Sequence, residues 1–171
     1  MRYAAIAAIS AAAFALSAPH AEAQALAAQD YITAAGIGDR FEIESSQLAL
    51  QRSKDAEIRK FAQRMIKDHG DTTTTLKEIV AIEPAKHWQL PAALDAKHAD
   101  TLKQLQAASA ADFDKLYVQD QIAGHQEALK LNRDYAAGGD FPGLKAFAAK
   151  VASKVQQHLD MIEGIDGKNP S

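Results

Sequence analysis

The chain has 171 residues, a formal net charge of −3, 47% hydrophobic and 24% charged residues, and no cysteine. One soluble domain with a single core fits that length and composition. Disulfides and thiolate chemistry are excluded outright, and no Lys/Arg-dominated face is present to hold nucleic acid.

Residues 1–23 read as an export signal. Arg2 supplies the positive start, Tyr3 to Leu16 the apolar run, and Ala21-Glu22-Ala23 an A-x-A cleavage site. The run is too short to span a bilayer, so no membrane span is expected after cleavage. A periplasmic or secreted protein is the expectation. Residues 24–167 then form one helical domain, and Lys168 to Ser171 a polar tail.

Leu26 to Arg52 predicts the first helix, with Tyr31, Ala34, Gly38, Phe41, Ser45 and Leu48 on its inner stripe. Glu44, between Phe41 and Leu48, is expected on or beside that stripe, whereas Glu42 is expected to point elsewhere. Ser53 or Asp55 caps a second helix that runs to about Ile82. Its stripe passes through Ile58, Ala62, Met65, His69, Thr72, Leu76 and Val80. Asp68, about 100° round from His69, reads as a surface charge.

Pro84 to Pro91 is a connector in which Trp88 covers one end of the domain. Ala92 to Ala107 predicts a short crossover helix carrying His98, and Ser109-Ala-Ala-Asp112 the capping pattern of the next helix. That helix, Ala110 to Tyr135, has His125 beside Val118, Ile122 and Leu129. Gly138-Gly139 ends it. The last helix, from Phe141 to about Ile165, accepts Pro142 in its first turn. Its stripe is Leu144, Phe147, Val151, Val155, His158 and Ile162. No period-two run competes, so the expectation is all-α: a four-helix bundle with one short crossover helix.

Three helices thus turn one histidine each inward: His69, His125 and His158. With Glu44 they form a candidate metal set, suited to zinc or, with water, to iron or manganese. The competing reading is structural, each imidazole bonded to a carbonyl or hydroxyl such as the Thr72–Thr75 run offers. Depth argues against all four meeting. Counted from Ser53, Glu44 lies 9 residues away and His69 16; counted from Gly138, His125 lies 13 away and His158 20. A mismatch of 7 residues is about 10 Å of helix, so either tilted helices or two subsites are required. His87 and His98 read as solvent-facing. No nucleophile elbow, phosphate loop or HExxH motif occurs.

The segments FAQRMIKDH, FDKLYVQDQIAGHQEAL and QQHLDMI, in that order and each with its histidine, resemble the exported bacterial DUF4142 proteins, often labelled outer membrane proteins. The resemblance spans about Ala28 to Ile165. It implies a ferritin-like bundle, carries over His69, His125 and His158, and matches Glu44 to the acidic position before Leu48-Ala49. The Glu-x-x-His motif of di-iron bundles is absent, because Ile66, Ile122 and Val155 stand three residues before the histidines. Two functions follow: an exported bundle that holds a transition metal for sequestration or stress protection, or a metal-free stress-response or protein-interaction bundle. Neither requires catalysis. Imidazole nitrogens more than about 8 Å apart would exclude a shared site.

Overall fold

The computed structural model describes residues 26–82 and 85–167. The expected export signal, Pro84 and the polar tail lie outside them. The described residues form five α-helices and no strand: α1 (Ala28–Arg52), α2 (Ala56–Val80), α3 (Ala96–Ala107), α4 (Phe113–Gly138) and α5 (Pro142–Asp166). A 3-10 turn, Ala85–His87, follows α2.

Two tight turns make two helical hairpins. Between α1 and α2, Asp55 is the cap, its Oδ1 accepting from the backbone N–H of Glu57 at 2.8 Å and of Ile58 at 2.9 Å. These are donors that no helical carbonyl can reach. Between α4 and α5, the Gly139 N–H closes onto the Tyr135 carbonyl at 2.8 Å and Pro142 opens the next helix. The hairpins face each other through α1–α4 and α2–α5, and α3 lies across α1 and α4. Four long helices and one short one is the architecture that the periodicity predicts.

The crossover begins later than expected, at Ala96, where the Asp95 carboxylate caps the backbone N–H of His98 at 2.9 Å. Likewise α4 begins three residues beyond Ala110. Residues 110–112 are a turn, in which the Ser109 hydroxyl accepts from the Asp112 N–H at 3.2 Å. The far end of α3 is fixed by Arg52, whose guanidinium donates to the carbonyls of Leu105, Gln106 and Ala108 at 2.9, 2.9 and 2.6 Å. Those carbonyls have no partner within the helix, so one planar fork closes it.

The core is split. One cluster holds Ile58, Phe61, Met65, Phe113, Tyr117, Val155, Leu159 and Ile162. The other holds Tyr31, Ile32, Leu76, Tyr135, Leu144 and Phe147. Trp88 packs at the edge of the second, its ring 5.0 Å from that of Phe141, and covers that end as expected. Between the clusters α1 and α2 bury a belt of polar residues: Asp39, Glu42, Ser45 and Ser46 on α1, beside Ile37 and Phe41, and Asp68, His69 and Thr72 on α2. Leu76 is fully buried in the second cluster. Leu76→Ala is expected to lower the unfolding free energy by about 2–5 kcal/mol, measured by urea denaturation.

Candidate metal centre

His69, His125 and His158 are 6%, 1% and 1% exposed and meet between the hairpins. Their ring centroids form a near-equilateral triangle with sides of 5.8, 5.5 and 5.4 Å. One nitrogen from each ring lies within 4.8 Å of the other two. The three rings therefore gather at one place, not at the two that the depth count allowed. The count had set the turns too near the helix ends. With α1 ending at Arg52 and α2 starting at Ala56, the level opposite His69 is Asp39, each fifteen residues from Lys54. About Asp140, His125 and His158 differ by about one helical turn, which two side chains can span.

What fixes the rings is on their outer edges. His69 Nδ1 lies 2.8 Å from Asp39 Oδ1, His158 Nε2 lies 2.8 Å from Asp68 Oδ2, and His125 Nδ1 lies 2.8 Å from the Gln121 carbonyl. A carboxylate and a carbonyl only accept, so each of these nitrogens donates its N–H outward. A neutral ring then carries a bare lone pair on its other nitrogen. Those nitrogens, His69 Nε2, His125 Nε2 and His158 Nδ1, are each buried with no hydrogen-bond partner, in three rings that offer nitrogens within 4.8 Å of one another. Three such acceptors gathered in a dry interior repel unless a cation or proton lies among them.

The carboxylates behind the rings are held in turn. Asp39 also accepts from the hydroxyls of Thr72 and Thr73, each at 3.0 Å. Here the threonine run serves the carboxylate, not the histidines. Asp68 takes Arg64 Nε at 3.2 Å and Lys154 Nζ at 3.3 Å. Burial works against ionisation of Asp68, but the His158 hydrogen bond and the Lys154 ammonium outweigh it and hold its pKa at about 2. Asp68 is therefore a buried partner of His158, a correction to its reading as a surface charge: Arg64, one turn before it, and Lys154 on α5 make that burial tolerable.

Glu44 also stands corrected by position. Its side chain is 36% exposed and pairs with Arg40 at 3.4 Å, outside the site. The inner face of α1 is rotated by about one residue from the Phe41–Leu48 stripe, which brings Glu42 in. Glu42 is 5% exposed, with Oε1 3.9 Å from His125 Nδ1. Phe41 and Ser45 of that stripe are buried, but the face extends to Glu42 and Ser46 and not to Glu44, and polar residues there gave the apolar pattern nothing to mark. His87 is exposed as expected, whereas His98 is half-buried against the Phe41 ring at 5.3 Å, with Nδ1 2.7 Å from Asp95.

The rings titrate unequally. Desolvation lowers the pKa of all three, and at His69 the Asp39 hydrogen bond and charge, with Glu42 and Asp68, reverse it and raise the pKa. Desolvation prevails at His125, reinforced by the neighbouring His69 charge. At His158 it pulls the pKa down to about 4, despite Asp68. Of the three rings, His69 is thus the one whose surroundings favour a proton. A pocket of about 510 Å³ between α1, α3 and α4 reaches the site, with His69 and His125 in its wall.

The sign of the pH effect follows. Between the ordinary histidine pKa of 6.5 and about 4, the unfolded chain protonates at residue 158 and the folded chain does not. Stability therefore falls as pH falls through that window, by about 2 kcal/mol between pH 7 and 5 from this residue alone. His69, with its raised value, contributes stability below 6.5 that is lost as pH rises through its folded pKa. A melting series on metal-free protein is expected to peak near pH 6.5 and to fall by several degrees at pH 5.

No curated protein matches the sequence. Solved structures of similar fold include "CopM in the Cu(I)-bound form", at 17% identity and TM-score 0.70, covering 84% of this chain and 97% of that one. CopM in the Ag-bound form matches at 17% identity and TM-score 0.68, covering 85% and 99%. A DUF305 fragment from Deinococcus radiodurans matches at 11% identity and TM-score 0.71, covering 82% and 95%. At these identities the likeness is one of fold. Residues 13–165 match the family described as Domain of unknown function (DUF4142), and the chain belongs to that family.

Proposed function

We propose that the protein binds one transition-metal ion through His69 Nε2, His125 Nε2 and His158 Nδ1, for sequestration or protection and not turnover. One observation carries this: the three gathered imidazoles each keep one buried nitrogen without a partner while every outer ring nitrogen is already committed to an acceptor. Ring orientation set by carboxylate and carbonyl is how metal-binding histidines are held. The donor set fits an ion of this class. Metal–nitrogen bonds are about 2.0–2.1 Å, so the nitrogens have to close by roughly an ångström, within the reach of small side-chain rotations.

All-imidazole donation, with no thiolate in the chain, favours copper over zinc by the usual order of affinities. The copper and silver named for the CopM structures support that choice, and zinc is the competitor. Glu44 is left out of the ligand set, since Arg40 holds it at the surface. Bound metal would supply the positive charge that the three lone pairs require. Among the described residues no helix is long and apolar enough to cross a membrane. Together with the signal-like residues 1–23, that supports an exported protein working in the periplasm or outside the cell.

Tag-free protein, stripped with EDTA, reloaded with copper and desalted, is expected to retain one equivalent by elemental analysis. His158→Ala is expected to weaken copper binding at least 100-fold. Retention of a full equivalent by that variant, or no metal in the wild type and no EDTA-dependent change in Tm, would overturn the proposal and leave a metal-free interaction bundle. Metal also has to displace the His69 proton. Calorimetry at pH 6 in buffers of different ionisation enthalpy is expected to show release of about one proton per ion bound.

A further inference from the structure

The pocket that reaches the histidines has a second polar feature, on the far side of His125. Glu42 from α1 and Asp120 from α4 both line it. Each has a buried carboxylate oxygen without a partner, Glu42 Oε2 and Asp120 Oδ2. Glu42 is 5% exposed. Its other oxygen lies 3.9 Å from His125 Nδ1, whose proton is already given to the Gln121 carbonyl. Gly124 makes room for it: a Cβ there would stand 3.1 Å from Glu42 Oε1.

The cations at the pocket mouth are already engaged. Lys97 is held by Glu127 at 2.6 Å, and His98 by Asp95. Among the described residues neither Glu42 Oε2 nor Asp120 Oδ2 meets a hydrogen-bond donor, and His125, beside the other Glu42 oxygen, has already given its Nδ1 proton to the Gln121 carbonyl. Two carboxylates left facing each other's field in a pocket wall are costly unless they share a cation or a proton. Asp120 stands one turn before Gly124 on α4, on the face that meets Glu42, and burial, with the Glu42 charge added, raises its carboxyl to about 6.

We propose that Glu42 and Asp120 form a second cation site, separate from the three imidazoles and open to the pocket, that takes a divalent ion preferring oxygen ligands. Oxygen-only donors select manganese, magnesium or calcium over copper, so the two sites discriminate by ligand chemistry. Glu42 meets His125 at its Nδ1 edge, and not at Nε2, the ring nitrogen left without a partner. The proposal does not depend on occupancy of the histidines.

The test is manganese binding followed by electron paramagnetic resonance of the free ion, on metal-free wild type and on H69A/H158A. Both are expected to bind one equivalent of manganese. The double variant E42Q/D120N is expected to lose at least tenfold in manganese affinity while keeping its copper stoichiometry, which also shows that it folds. No manganese bound by the wild type means that the carboxyls share a proton, and overturns the proposal. Manganese binding that survives E42Q/D120N places the ion elsewhere and overturns it equally. Loss of copper binding alone would count against the histidine centre and leave this site standing.

Discussion

The fold is organised by the need to bury three imidazoles whose outer nitrogens are each tied to an acceptor. That arrangement turns lone pairs inward, and no apolar neighbour can answer them. It explains why the bundle gives up a continuous hydrophobic seam. The middles of α1 and α2 carry Asp39, Glu42, Asp68, His69 and Thr72 where an ordinary bundle would carry leucines. Two apolar clusters, one toward each end, supply the burial that this polar belt forgoes. Packing makes the structure stable, and the belt makes its interior specific.

The belt is assembled from both hairpins. Asp39 and His69 belong to one and His125 and His158 to the other, with Asp68 bonding across to His158. The two carboxylates are themselves stabilised by threonine hydroxyls, an arginine and a lysine. The supports thus reach from the ring nitrogens to the protein surface within two steps. In the metal-free state the same network sets one imidazole apart from the other two. His69, where Asp39 with Glu42 and Asp68 outweighs desolvation, favours its proton, whereas desolvation disfavours it at His125 and His158.

The helices were legible in the sequence because their caps and periods agree: Asp55, Gly138-Gly139 and Pro142 mark ends that the hydrophobic stripes independently require. The three histidines were legible too, each sitting among apolar residues at helical spacing on α2, α4 and α5. On α1 the same method failed. Phe41 and Leu48 drew the stripe toward Glu44, but Phe41 shares its buried face with Asp39, Glu42, Ser45 and Ser46, which hydrophobicity could not mark. Asp39 carried a signal of another kind: measured from the α1–α2 turn, it stands level with His69. A carboxylate level with a buried histidine on the neighbouring helix is what a positioned imidazole needs. Asp68 was misread because adjacency on a helix says only that it does not share the face of His69; it faces α5 instead.

The two ends of α3 are fastened by different forces. Its last carbonyls are gripped by the Arg52 fork, which is also laid over the Phe113 ring at 4.5 Å. Near its beginning the Lys97–Glu127 pair is open to water, and a pair of that kind is worth little and is screened by salt. Added salt therefore weakens one of the holds on the start of α3, the Lys97–Glu127 pair, while the His98–Phe41 packing and the buried Leu105 beside the Arg52 fork do not depend on it.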